Sequence, residues 1–207
     1  MNLHLLRRAL LASAIAGLGL VALQPAAAQV APGQPAPDFT LTSIDGKPVK
    51  LADFRGRYVV LEWTNPHCPF VVKHYGSGNM QSLQKRFGAE NVAWLTINST
   101  NKNHSEYMAP QAKVKWIREQ GATPTAVLDD ADGKVGRLFG ARATPHMYVI
   151  DPKGTLVYAG AIDDKRSANP ADVKTANNFV VQALTEARAG KALTHASTTA
   201  YGCSIKY

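Results

Sequence analysis

Apolar positions along this chain follow two periods, one of two residues and one of about 3.6. Residues 58–63 form a nearly continuous apolar run interrupted only by Glu62, which predicts a strand buried on both faces. Residues 39–43 and 48–51 flank Ile44-Asp45-Gly46-Lys47, and the Asp-Gly pair predicts a hairpin. Further strands are predicted over 92–97, 125–128, 146–150 and 155–159. The last two are joined by Asp151-Pro152-Lys153-Gly154, whose residues favour a tight turn. A helix should open after Cys68-Pro69, because proline suits the first helical position. Gly76-Ser77-Gly78 interrupts it, and Met80, Leu83 and Phe87 resume helical spacing up to Gly88. Helices are also predicted over 110–120, closed by Gly121, and over 132–139. A last helix is expected to be capped by Asn169 and Pro170, with Val173, Ala176, Val180, Val181, Leu184 and Ala187 inward.

Strands alternating with helices, followed by two close strands and a helix, predict an α/β fold. Its core is a central mixed sheet covered on both faces, with the N-terminal hairpin as an extension. Residues 29–37 carry three prolines and read as an extended lead-in. The segment 191–207 shows no periodicity.

The N-terminus changes the picture of where the chain works. Arg7 and Arg8 precede an apolar run over 9–23, and Pro25-Ala26-Ala27-Ala28 offers small residues for cleavage. This is the pattern of an export signal, expected to end at Ala28. The run is short for a membrane span, which needs about 20 residues; an uncleaved anchor is the alternative. The expected organisation is a signal over 1–28, one domain over 29–190 and a tail over 191–207. The exported protein is expected in the bacterial periplasm or outside the cell, off the membrane once the signal is removed. The 23 basic and 15 acidic residues give a net charge of +8. They are interleaved without a Lys/Arg cluster, so they describe a solvated surface and not a nucleic-acid footprint.

The candidate chemistry centres on two cysteines, Cys68 and Cys203. Cys68 stands in Asn65-Pro66-His67-Cys68-Pro69, where a strand hands over to a helix. Helix N-termini lower a thiol's pKa, and the thiolate is the nucleophile. In an exported chain the two cysteines suit pairing, either as a staple or as a redox couple. Glu62, six residues before Cys68, is expected to be buried with a raised pKa and to serve as a proton acceptor or donor. Pro145 marks a strand start or special turn. His67, Cys68, His74 and Cys203 are the side chains that would have to converge on a soft metal, but they show no ligand spacing, and neither metal nor dissociable cofactor is expected. His146, directly after Pro145, is read either as a neighbour of Cys68 or as a partly exposed strand end. Asn98-Ser99-Thr100 and Asn103-His104-Ser105 match the glycosylation pattern.

Together, Glu62, Cys68 and Thr144-Pro145 resemble the thioredoxin superfamily in its peroxiredoxin-like (redoxin, alkyl hydroperoxide reductase/thiol-specific antioxidant) branch, over about residues 35–189. The resemblance places Glu62 at the buried acid, Cys68 at the attacking cysteine, and Thr144-Pro145 at the cis-proline facing it. Residues 65–75 are similar to a subgroup with a His-Cys-Pro-x-Val…Lys-His-Tyr signature. That subgroup tends to end in a tail like Gly202-Cys203-Ser204-Ile205-Lys206-Tyr207. Val71 stands where thioredoxins carry their second cysteine, and Asn65 and Leu61 stand where peroxiredoxins carry Thr/Ser and Pro. The resemblance implies a thiol–disulfide oxidoreductase with Cys203 as resolving thiol and a protein or small-molecule thiol as redox partner. A thiol-dependent peroxidase is the alternative enzyme. A binding protein with a structural disulfide or a metal site is the non-catalytic alternative.

Overall fold

The computed structural model describes residues 30–207; the expected export signal lies outside the described residues. The strands are β1 Thr40–Ser43, β2 Pro48–Lys50, β3 Val59–Trp63, β4 Ala93–Asn98, β5 Ala126–Asp129, β6 Ala143–Thr144, β7 His146–Ile150, β8 Leu156–Gly160 and β9 Cys203–Ser204. The helices are α1 Pro69–Gly76, α2 Asn79–Ala89, α3 Pro110–Glu119, α4 Lys134–Phe139 and α5 Phe179–Arg188. Seven strands form one sheet in the order β2-β1-β5-β4-β3-β7-β8, and β6 and β9 form a separate pair. β3 lies between β4, to which it is parallel, and β7, to which it is antiparallel. All five of its residues are buried, as the continuous apolar run predicts. This is the expected thioredoxin-like α/β fold.

Strand alternation divides the core between the two faces of the sheet. Val60, Trp94, Met147 and Val149 meet Val71 and Tyr75 of α1, Met80, Leu83 and Phe87 of α2, and Val180, Ala183 and Leu184 of α5. Leu61, Trp63, Leu95, Ile97, Tyr148 and Ile150 meet Phe39, Leu51, Val135 and Phe139 on the other face. Glu62 is in register with Met147 and Thr96, so it belongs to the α1 face.

The N-terminal hairpin is an extension of the main sheet, since β1 pairs with β5, Thr42 opposite Asp129 and Ser43 opposite Leu128. One expectation needs correction. The last helix is broken. A 3₁₀ segment, Pro170–Thr175, with no buried residue is capped by Asn169, and α5 starts afresh at Phe179 with Asn178 as its cap. The cause is a backbone clamp: Phe179 N–H donates to Ile162 O at 2.9 Å, Asp164 N–H to Asn177 O at 3.2 Å, and Asp163 bridges Asn178. With those groups taken, Val173 and Ala176 cannot extend the inner face of α5, and Ala183 fills it instead.

The segment after α5 is laid along the fold by specific contacts. Ser197 bridges Ala159, and the Thr198 hydroxyl meets the Tyr158 hydroxyl at 2.6 Å and accepts from Ala161 N–H at 2.9 Å. β9 pairs with β6. Tyr207 covers α4: its hydroxyl donates to Ala141 O at 2.7 Å, and Arg137 lies 4.5 Å from its ring centroid. A side-chain carbon on Gly136 would stand 2.5 Å from that hydroxyl, and one on Gly133 would stand 2.4 Å from the ring.

Candidate active site

The turn after β3 is tied by Asn65. Its Oδ1 accepts from His67 N–H at 2.9 Å, and its backbone carbonyl accepts from Cys68 N–H at 3.0 Å. Its Nδ2 donates to Glu106 Oε2 at 2.6 Å. Cys68 then sits in extended conformation as the N-cap of α1, with Pro69 as the first helical residue. The sequence predicts this junction correctly, since proline's fixed φ suits that position and its missing N–H is not needed there. Cys68 is 1% exposed, and its thiol donates to Thr144 O at 3.0 Å. The Thr144–Pro145 bond is cis.

Cys203 arrives from the other end of the chain. β9 sets Cys203 opposite Thr144 and Ser204 opposite Ala143. Both cysteines are free thiols, and each shifts the titration of the other. Burial pushes the Cys68 thiol up, but hydrogen bonds from the Cys203 thiol, Thr144, Val71 N–H and Cys203 N–H together outweigh it and leave Cys68 below its ordinary value. Cys203 is pushed up to about 12 by burial, by its hydrogen bond to Cys68 and by the charge on Cys68. The two thiols titrate as a coupled pair, in which Cys68 is the one to give up its proton first.

Glu62 is wholly buried. Trp94 Nε1–H donates to its Oε2 at 2.7 Å, and the Tyr75 hydroxyl donates to its Oε1 at 2.9 Å. Burial raises its pKa against the pull of these donors. Among the described residues its hydrogen bonds go to Trp94, Tyr75 and Thr96, and it shares with Cys68 only the packing of α1 against its face of the sheet. His67 is exposed, whereas His146 is buried, contrary to its reading as a half-open strand end. His146 pairs with Trp63 in register, on the opposite face from Glu62.

A second polar cluster escaped the sequence reading. Lys73, His74 and Asp163 are each at most 1% exposed. Lys73 Nζ lies 3.5 Å from Asp163 Oδ2 and donates to Lys165 O at 2.7 Å. The Tyr201 hydroxyl donates to Asp163 Oδ1 and lies 3.4 Å from both Lys73 Nζ and His74 Nε2. Lys73 and His74 were visible as part of the Lys-His-Tyr signature, but only the fold shows that they grip the tail. His74 faces Tyr201 and Asn79, away from any shared centre with Cys68. Among the described residues no three His, Cys, Asp or Glu side chains gather as a metal cluster. Asn98, the first glycosylation match, is buried and donates to Thr64 O at 2.9 Å. Among the described residues no helix is long and apolar enough to cross a membrane.

The same arrangement has relatives. A solved structure of an uncharacterized conserved protein from Geobacillus kaustophilus superposes with a TM-score of 0.76 at 28% identity, covering 87% of this chain and 94% of that one. The thioredoxin-like protein YneN of Bacillus subtilis is 25% identical over 68% of this chain and 79% of its own length. Peroxiredoxin-2 of Cricetulus griseus is 30% identical over 60% of this chain and 66% of its own length. The family model for AhpC/TSA matches residues 32–159, from the lead-in before β1 through β8. With β3, Cys68 and the cis-proline all inside that span, this chain belongs to the AhpC/TSA family, the redoxin branch of the thioredoxin superfamily.

Proposed function

We propose that the protein is a thiol–disulfide oxidoreductase in which Cys68 attacks and Cys203 resolves. The observation that carries this reading is the convergence of both cysteines on Thr144, which pairs with Cys203 across β6 and β9 and accepts from the Cys68 thiol at 3.0 Å. In the reducing direction the Cys68 thiolate attacks one sulfur of a partner disulfide. That S–S bond breaks, and the partner's other sulfur leaves as a thiolate. Once the Cys68 sulfur is in a mixed disulfide it carries no charge, and the two influences from Cys68 that hold the Cys203 proton disappear. Cys203 then loses its proton to the departing thiolate or to water and attacks the Cys68 sulfur, releasing the second partner thiol. Two electrons pass to the partner, and the chain is left with a Cys68–Cys203 disulfide, which a donor thiol must reduce.

In this reading Glu62 is the buried proton acceptor or donor of the site, and Pro145 shapes the groove against which the partner lies. The work is done outside the cytoplasm, with a thiol-bearing protein or small molecule as partner. The peroxidase alternative is supported by the AhpC/TSA family match and by the 30% identity to a peroxiredoxin. Hydrogen peroxide consumption at the expense of added thiol separates the two.

The direct test titrates Cys68 by thiolate absorbance in the reduced protein and in Cys203→Ser, and measures the potential of the pair against glutathione. Cys68 is expected below the ordinary thiol range in the wild type, and shifted in Cys203→Ser, where a hydroxyl replaces the thiol donor and no second thiol titrates with it. A thiol at or above about 8.5 in the wild type, or a disulfide more reducing than about −300 mV, would mark a structural staple.

A further inference from the structure

Cys68, the thiol assigned above to attack, is 1% exposed, and Cys203 is the more accessible of the two. The backbone edge beside Cys68 is also taken, since β6 spends its hydrogen bonds on β9. An extended partner segment that brought its own cysteine to Cys68 would use that same edge by strand addition. As the chain stands, residues 199–204 occupy the place that the first step requires for the partner.

Tyr201, two residues before Cys203, fastens this segment. Its hydroxyl donates to Asp163, and Lys73 Nζ lies 3.4 Å away. The Asn79 amide at 2.9 Å supplies His74 Nδ1 with a donor, which places the ring proton on Nε2, 3.4 Å from the Tyr201 oxygen. The Tyr201 ring packs edge-on against Phe70 at 5.7 Å, directly after Cys68-Pro69. Burying a lysine and an aspartate is a poor way to add stability, because desolvation offsets most of their attraction. What the cluster provides over an apolar patch of equal volume is directional: it accepts from and donates to one phenol in one geometry. On either side the segment is moored separately, through Thr198 to Tyr158 and Ala161 and through Lys206 O to Asn101 N–H at 2.7 Å. Residues between those moorings can lift without the rest of the fold letting go.

We propose that residues 199–204 are a strap latched by Tyr201 onto Lys73, His74 and Asp163, and that the strap must lift from Thr144 before a partner's extended, cysteine-bearing segment can reach Cys68. Tyr201 is a positioning residue in both half-reactions: unlatched, it opens Cys68 to the partner disulfide; latched, it returns Cys203 for the resolving step. The inference rests on Cys68 being the attacking thiol.

Stopped-flow reaction with DTNB in a Cys203→Ser background tests it. Cys68 is then the single thiol, and each attack releases one thionitrobenzoate. Two added substitutions loosen the strap by unrelated means. Tyr201→Phe removes the phenol from the latch. Gly202→Ala changes no side chain of the latch, but Gly202 has φ +132° and a Cβ there would stand 2.0 Å from Thr144 O, so the strap is pushed off its edge. Hydrogen exchange over residues 197–207 reports whether the strap has lifted. Release about tenfold faster or more is expected in both variants, with faster exchange confined to the strap. Rates within about twofold of the Cys203→Ser parent while exchange shows the strap free would overturn the proposal, as would unchanged exchange in both variants. A rate that rises with strap release yet stays below that of the unfolded chain supports the strap and instead overturns the reading of Cys68 as an activated nucleophile.

Discussion

His146 shows how burial turns a side chain into a pH-dependent contribution to stability. Its Nδ1 accepts from Arg142 N–H at 3.2 Å, and burial, followed by the Arg142 charge, holds its pKa down to about 4. In the unfolded chain a histidine titrates near 6.5. Between about 6.5 and 4 the unfolded state binds the extra proton, so stability falls as the pH drops through that window and levels off below it. His74, also held down to about 4 chiefly by burial, acts with the same sign. Each is worth up to about 3 kcal/mol across the window. Glu62 has the opposite sign: its pKa is raised in the fold, so its contribution weakens as the pH rises from its unfolded value through its folded one. Urea midpoints at about pH 7.5 and 4.5 should therefore differ less in His146→Gln than in the wild type, with the Glu62 contribution common to both. An unchanged difference would mean that His146 takes its proton in the fold. At this scale Glu62 was legible because a lone carboxylate in an apolar run has no ordinary reason to be there. Lys73, His74 and Asp163 were not, because charged residues in a helix and a loop are by default read as solvated.

Among the elements, β3 and α1 could be read directly, since a continuous apolar run and a Cys-Pro junction are strong local signals. The start of α5 is not legible locally, because a non-local clamp decides it. Asn169 has the better local credentials as a cap, with proline beside it, yet it serves only the exposed 3₁₀ segment. Asn178 Oδ1 accepts from Val181 N–H at 3.0 Å and caps the helix that buries Val180, Ala183 and Leu184. Asn178→Ala is accordingly expected to cost about 1 kcal/mol in denaturant unfolding, and Asn169→Ala clearly less. Equal costs would show that the 3₁₀ segment is coupled to the core. The same clamp has a second effect, because pairing 162–164 with 177–179 is what delivers Asp163 to Lys73.

For the whole molecule, the question is what closing a ring between residues 68 and 203 does to the balance of folding. The chain-entropy model allows about 4–5 kcal/mol for a loop of this size. The reduced fold already stabilises the Cys68 thiolate through hydrogen bonds that the disulfide would forfeit. The oxidised protein should therefore exceed the reduced one by about 3 kcal/mol or less in guanidinium unfolding. Because about 1.4 kcal/mol corresponds to about 30 mV for a two-electron couple, a gain of the full loop-closure value would push the pair toward a staple and away from cycling. The proximity of Cys203 to Cys68 could not be read from residue spacing. The tail has no hydrophobic period, and a two-residue pairing to β6 leaves no pattern in the sequence; only the cysteine count and the resemblance point to it.

The seating of Tyr207 over Gly133 and Gly136 carries a consequence for how the chain can diverge. The family-wide match ends at residue 159, whereas the tail that rests on the shared fold lies beyond it. A side chain at position 136 and a ring at position 207 cannot coexist in this geometry. Two positions about seventy residues apart are thus bound to change in order: the aromatic must be lost before the glycine is free to become anything larger.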